Sequence, residues 1–555
     1  MNMPKLLYLL KNNRGEFTKE NIFKNIIAGI VVAIIALPLS VALGISSGVS
    51  PEKGLITAVV AGFVISLLGG SRVQIGGPTG AFVVIIYGII SEHGIDGLIL
   101  ATIMAGVILI VFGALKLGTL IKYISYPITV GFTAGIAVTL FSTQVKDFLG
   151  LTIEKVPSEF IPKWGSYLEN MGTINWTSTI LGLFSLMVII LWPKINKKIP
   201  GSLIALILAT IIAYFFKLPV STIGSTFGEI SSSISMPGLP AIQLDTLITL
   251  MKPAIVIAFL AAIESLLSAV VADGMIQDKH DSNMELIAQG VANVASGLFG
   301  GIPATGAIAR TAANVKNGGT MPIAGIVHAI TLFLIMKLLM PLAKYIPLTC
   351  LSAILMVVSY NMSEWRTFKK LLKAPKSDVI TLIATFSLTV IFDLVVAIEI
   401  GIVVSVFLFM RKMAVNMEIN ELKEEHYEKQ RTLIENIDTD LYNNNSIKIF
   451  EIKGAFFFGA AEKLMESVAS VGDEAKVIIL RMHHISHMDI TAYDMIKKVE
   501  SLCKERNLQL IISELREQPR ELIEKMENKE GVRYRDIAKD LNSALKLAED
   551  SLAYN

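Results

Sequence analysis

Apolar runs long enough to cross or half cross a bilayer recur from about residue 25 to residue 411, broken by short loops that carry Gly, Pro or charge. The pattern predicts fourteen membrane segments. Seven lie near 25–47, 53–69, 75–91, 96–115, 127–144, 174–193 and 200–216, and seven more near 253–272, 284–299, 304–315, 321–341, 347–361, 378–393 and 395–411. Beyond Arg411 and Lys412 the pattern changes. A Glu- and Lys-rich connector passes through Glu424, Glu425, Lys429 and Arg431 to the Asn443, Asn444, Asn445 run, the mark of a linker over 413–445. After it, apolar stretches at 447–452, 477–480 and 508–512 predict strands, and periodic runs at 492–504 and 520–527 predict amphipathic helices. This alternation makes 446–555 a small soluble α/β domain.

Composition removes the soluble alternatives for the rest. The 555 residues are 53% hydrophobic and 17% charged, with a mean hydropathy of +0.61, so the bulk of the chain belongs in a lipid bilayer. A formal net charge of +2 gives no reason to expect nucleic acid as a partner. Cys350 and Cys503 make neither a disulfide framework nor a metal site. Residues 1–22 carry Lys5, Lys11, Arg14 and Lys19 alongside Glu16 and Glu20, with no small-residue cleavage site before the long apolar run that follows. They read as a retained cytoplasmic N-terminus, with the transmembrane transport domain at 23–412. Lys194, Lys197 and Lys198 after segment six, and Arg366, Lys369, Lys370, Lys373 and Lys376 after segment twelve, place those loops on the cytoplasmic side. The long loop between Lys217 and Lys252 has no Lys or Arg inside it and suits the opposite face. An even number of spans leaves both termini cytoplasmic.

One motif is written twice. Gly76-Gly77-Pro78-Thr79-Gly80-Ala81 falls in segment three, and Gly300-Gly301-Ile302-Pro303-Ala304-Thr305-Gly306-Ala307 falls in segment ten. The 226 positions from Thr79 to Thr305 also carry segment one onto segment eight. Seven spans per half is an odd number, so the second copy enters from the other side and the repeat is inverted. Gly and Pro inside an apolar segment disfavour helix, which leaves a half-helix from each Thr-Gly pair onward. A helix that starts in mid-membrane has unpartnered N–H groups and a positive dipole end, and two such ends facing each other attract an anion. Thr79, Gly80, Ala81, Thr305, Gly306 and Ala307 are therefore the expected substrate-binding residues.

Ionisable residues inside apolar segments are costly and mark function. Glu264 lies in segment eight, and Arg310 lies five residues beyond Thr305, on the second turn of the expected half-helix. Arg310 would add positive charge beside the anion. A carboxyl next to an anion is repelled unless it carries a proton, which makes Glu264 a proton carrier. The rival reading is a static Glu264–Arg310 ion pair that holds segments eight and ten together. Asp393 and Glu399, near the last hairpin, are given no role.

In this order the Gly-Pro-Thr-Gly turn, the Glu264-Ser265-Leu266-Leu267-Ser268 run, the second turn with its Arg310, and the α/β tail resemble the sulfate permease (SulP) family of anion transporters. The resemblance runs along nearly the whole chain. It implies an all-α membrane domain of fourteen transmembrane segments in a 7+7 inverted repeat, with a core domain moving against a gate domain, and a small cytoplasmic α/β STAS domain. It also implies a homodimer in a bacterial-type inner (plasma) membrane. Substrates in the family include sulfate, bicarbonate, chloride, oxalate and dicarboxylates. The stretch Pro303 to Thr311 and the Asp273-Gly274-Met275 run are most similar to bacterial members that move C4-dicarboxylates with protons. Sodium-coupled bicarbonate members carry an acidic sodium ligand at the position of Glu264 and resemble this chain at Ser268. Their further hydroxyl ligand falls on Ile308, whose apolar side chain points to the proton over sodium as coupling ion.

The tail resembles STAS domains whose relatives carry a phosphorylated Ser in an Asp-Ser-Ser-Gly loop. The matching stretch is Met488-Asp489-Ile490-Thr491-Ala492. Thr491 takes the regulatory position, but Ile490 and Ala492 depart from the pattern, so Thr491 reads first as the cap of the following helix. His483, His484 and His487 lie on one short turn without Cys or paired carboxylates, so no metal is expected.

The leading expectation is a proton-coupled secondary transporter of a small anion, without cofactor. The alternatives are a sodium-coupled bicarbonate carrier, a nucleobase carrier of the same architecture, and a membrane anion sensor signalling through the STAS domain. No nucleophile elbow, Walker loop or His-Glu-x-x-His helix supports an enzyme.

Overall fold

A computed structural model describes the chain apart from residues 1–2, 120–124, 155, 197–198, 229–230, 233–237, 239–243, 393–399, 401–402, 405–406, 408–409, 411–417, 423–445, 455, 457–460, 473, 531–535 and 555. Asp393, Glu399, most of segment fourteen and most of the linker lie outside the described residues. The chain folds as two compact units, Met1–Val403 and Val404–Asn555.

Among the described residues of the first unit, apolar segments one to thirteen are helical. Segments one and two are Lys19–Ser46 and Pro51–Leu68, started by a Thr18 side-chain cap and by Pro51 at the first helical position. Segments three and four run on as Val83–Ala114, interrupted at Gly94, whose φ of 69° and ψ of −170° no other residue type takes easily. Segments five to seven are Tyr126–Leu149, Trp176–Ile195 and Gly201–Phe215. Segment eight is the long helix Leu244–Ile276, segment nine is Ser282–Leu298 under an Asp281 cap, and segment ten is the short helix Ile308–Lys316. Segments eleven to thirteen are Ile323–Ala343, Leu348–Met362 and Lys376–Ile391. Seven of the described helices are long and apolar enough to cross a membrane.

The packing maps onto itself when each segment of the first half is exchanged for its counterpart in the second. Segment one packs on eleven and segment eight on three and four; segment two packs on eleven and segment nine on three and four; segment five packs on thirteen and segment twelve on six. An inverted repeat requires this self-mapping. Two packed sets emerge, one around segments one to four with eight to eleven, the other around five to seven with twelve and thirteen. Small residues let the first set approach closely. Gly106 in segment four and Gly290 in segment nine cross back to back: a methyl on Gly106 would stand 2.6 Å from the Gly290 carbonyl oxygen, and one on Gly290 2.5 Å from that of Gly106.

The second unit is built on a five-stranded sheet whose strands pair in chain order: Glu418–Glu421, Ile447–Lys453, Val477–His484, Gln509–Ser513 and Ile537–Ala538. The first pairing is antiparallel and the other three are parallel. Helices Ala461–Ala469, Ile490–Glu505, Glu517–Glu530 and Leu541–Tyr554 connect or follow the strands. The strand Glu418–Glu421 comes from the stretch read as linker; its exposed Glu residues concealed an edge strand. Parallel strands buried on both faces account for the unbroken apolar run Val477 to Leu480.

Candidate functional site

The two copies of the motif meet. Gly76–Gly77 and Thr305–Gly306 form a two-residue antiparallel ladder, Gly76 opposite Gly306 and Gly77 opposite Thr305. The pairing is antiparallel, so the two stretches run in opposite directions where they meet, as an inverted repeat requires. Gly77 takes φ of 150° and lies against the Arg310 guanidinium, and a side chain on Gly306 would overlap Gln74, so both positions require glycine.

Each ladder strand leads into a helix. After Thr79 a single 3₁₀ turn, Gly80–Phe82, passes into Val83–Ala114. After Ala307 the helix Ile308–Lys316 begins, so Arg310 stands on its first turn rather than its second. The Thr305–Gly306 pair itself is extended, and the span-ten half-helix starts three residues later than the motif suggests. The first N–H groups of both helices have no acceptor within their own helix. Ile308 is 40% exposed, so open space reaches the start of its helix.

The expected site residues divide by what they hold. The Thr79 hydroxyl donates to Glu264 Oε2 at 2.8 Å, and Arg310 Nη2 donates to the Pro78 carbonyl. Glu264 and Arg310 thus each grip the span-three turn and make no direct salt bridge with each other. Arg310 is buried and its Nη1 has no partner. Thr305 donates its hydroxyl to Ala261 O at 2.9 Å, and Ala307 donates its N–H to Ile75 O at 2.9 Å. Neither has that donor left for a ligand. Gly80 and Ala81 are buried at the head of the span-three helix. Ser268 donates to the Thr311 hydroxyl at 3.2 Å, which also accepts the Ile75 N–H at 3.0 Å.

Sequence reasoning passed over the neutral polar residues that tie these pieces together. Gln74 donates to Ser265 O, Asn314 to Val73 O, and Asn293 bonds Ala304 through both its amide and its carbonyl oxygen. His328, buried in segment eleven with neither ring nitrogen bonded, was also missed. A search for amides and His in apolar segments, and not only Asp, Glu, Lys and Arg, would have found them.

In the second unit, Asp489 and not Thr491 caps the helix Ile490–Glu505, its carboxylate accepting the Ala492 N–H at 2.8 Å. Asp has one side-chain oxygen directed at the third helical N–H, whereas Thr491 is already inside the helix and exposed. Glu451, His483 and His484 offer ligand atoms within 4.8 Å of one another. Glu451 is already matched by Lys453 at 2.7 Å and Arg481 at 3.3 Å. Burial works to raise its carboxyl, but these two cations hold it below the usual carboxylate value. A metal there would meet two resident positive charges. Burial and Arg481 likewise push the His483 imidazole below its ordinary value. His487 stands outside this group.

A model of the sulfate permease family matches residues 22–385, and a model of the STAS domain matches residues 438–544. A putative sulfate transporter of Bacillus subtilis, YvdB, is 42% identical over 477 residues, covering 86% of this chain and 88% of its own. The bicarbonate transporter BicA of a Picosynechococcus strain is 31% identical over 480 residues, covering 83% of each chain. The structure of the murine Solute Carrier 26 family member A9 anion transporter superposes with a TM-score of 0.87 at 17% identity, over 99% of this chain and 94% of that one.

Proposed function

Because the chain belongs to the sulfate permease family of membrane anion transporters, with a C-terminal STAS domain, we propose that it carries a small oxyanion across the inner membrane by alternating access, coupled to protons. It is a transporter and not an enzyme. The observation that carries the reading is the antiparallel junction of the two turns, from which two helices lead away with Arg310 between them. An anion at the heads of these helices meets two positive dipole ends and the free Nη1 of Arg310, in surroundings where charge is poorly screened. Sulfate and bicarbonate, the substrates in the relatives' names, and a C4-dicarboxylate all present oxygens of the right kind to N–H donors.

The central contacts suggest how protons enter. Glu264 and Thr79 share a hydrogen bond at the turn whose following N–H groups face the anion. Arrival of negative charge favours the neutral carboxyl, and a proton bound there travels with the substrate. Sodium lacks the oxygen ligand that Ile308 fails to supply. The set of segments around one to four and eight to eleven acts as the moving core, and the set around five to seven and twelve to fourteen as the gate. The loop after segment six faces the cytoplasm, the transport domain is 23–412 with 413–445 leading to the STAS domain at 446–555, and the working unit is a homodimer.

Reconstituted uptake of labelled sulfate, bicarbonate or succinate under an imposed proton gradient tests the proposal. Acid-driven accumulation of one of them is expected; folded protein that accumulates none would sink it.

A further inference from the structure

A cavity of about 540 Å³ runs beside the span-three helix. Its near end is Val84, Ile85 and Thr139, one turn past Ala81, and its far end is His93, Ser158 and Glu159. Between this cavity and the Thr79–Gly80 turn, Gly80 is packed against segments five and twelve. A methyl on Gly80 would come within 2.7 Å of Leu140 Cδ2 and 3.5 Å of Met362 Sδ. The cavity therefore approaches the head of the half-helix, where Gly80 and Leu140 are closely packed.

Lys163 lines this cavity from the helix Phe160–Glu169, which lies in the loop between segments five and six. It is only 5% exposed, and it also borders a neighbouring cavity of about 210 Å³. Nearby Lys146 donates to Ile153 O at 2.7 Å. Lys163 has no such partner among the described residues, and the exposed Glu92 and Glu159 stand at the rim without pairing to it. Asp147 and Glu154 line the smaller cavity with it but make no ion pair to it, and burial pushes its amine down to about 8. A buried ammonium group without a counter-ion is expensive and is kept where an anion completes it. Mobile anions are what this protein handles.

We propose that Lys163 is the anion-binding residue of a second site, a waiting position in which a small oxyanion rests against its ammonium group before it reaches the central turns. The proposal rests on the transport reading for its ligand class. It is tested on the full chain in nanodiscs by acetic anhydride labelling followed by mass spectrometry, with sulfate, bicarbonate and succinate added separately at constant ionic strength. One of these anions is expected to slow acetylation of Lys163 several-fold and saturably, leaving exposed Lys217 unaffected. In uptake, Lys163→Met is expected to raise the half-saturating concentration about tenfold, the loss of one charge-assisted hydrogen bond. Its maximal rate should stay near that of the parent, and Lys163→Arg should behave like the parent. Unprotected Lys163 in a protein that transports normally, or an unchanged half-saturation in Lys163→Met, overturns the second site and leaves the transport reading intact. Protection of Lys163 in a protein that takes up no anion overturns transport and leaves the site standing.

Discussion

The two turns at the centre of the membrane unit are copies of one motif, yet they are held differently. The span-ten turn is tied by neutral groups: the Thr305 hydroxyl on Ala261 O, the Ala307 N–H on Ile75 O, and both ends of the Asn293 amide on Ala304. The span-three turn is gripped by two ionisable side chains from other segments, Glu264 on Thr79 and Arg310 on Pro78. Neutral bonds do not respond to a proton or to an arriving anion, whereas both of the ionisable ones do. One copy of the motif thus serves as the fixed wall of the site and the other as its responsive wall, and duplication supplied the parts for both.

The sharpest way to break this contrast is to remove the cation. Arg310→Met takes away the bond to Pro78 and the positive charge beside the substrate, and uptake at low substrate should fall roughly 100-fold, two charge-assisted hydrogen bonds' worth. Near-normal uptake would mean the span-three turn needs no such grip. Next in size, Glu264→Gln should reduce accumulation under a gradient of one pH unit about tenfold, to equilibration, if one proton moves with each anion. Exchange of labelled for unlabelled anion should persist, because Gln still accepts from Thr79; preserved accumulation would remove Glu264 from coupling. A matched pair of substitutions then separates wall from wall. Thr305→Val should destabilise by about 1 kcal/mol, read as a lower unfolding midpoint in detergent, with the pH profile of uptake unchanged. Thr79→Val should do the reverse, shifting the pH profile with little change in midpoint. If both substitutions act alike, the two turns are not distinct in kind. The smallest effect expected is none: replacing sodium by choline should leave uptake as it was, and a sodium requirement would show that Ile308 does not exclude the ion.

How much of this was readable beforehand depends on the physical scale of each signal. Thirteen spans, the inverted repeat and the tail domain were visible because bilayer thickness and repeat offset act over tens of residues. The two turns were visible because Gly and Pro in an apolar run are locally conspicuous. What escaped was which donors are already used. Thr305 and Ala307 look like ligands in sequence, and only the register of the ladder shows that their donors face protein atoms. The starting point of the span-ten helix slipped by three residues for the same reason, since pairing across the repeat holds Thr305 and Gly306 extended. Thr491 was assigned a cap that Asp489 provides, because two residues of similar capping strength stood close together and spacing alone did not separate them.

The ladder between Gly76–Gly77 and Thr305–Gly306 joins one half of the chain to the other. A polypeptide of half this length would own a single turn with nothing opposite it, and could complete the junction only by meeting another copy inserted upside down. Such an ancestor would have had to populate both orientations in one membrane. Fusing the halves ended that requirement, fixed which copy faces which way, and freed each turn to change without altering the other.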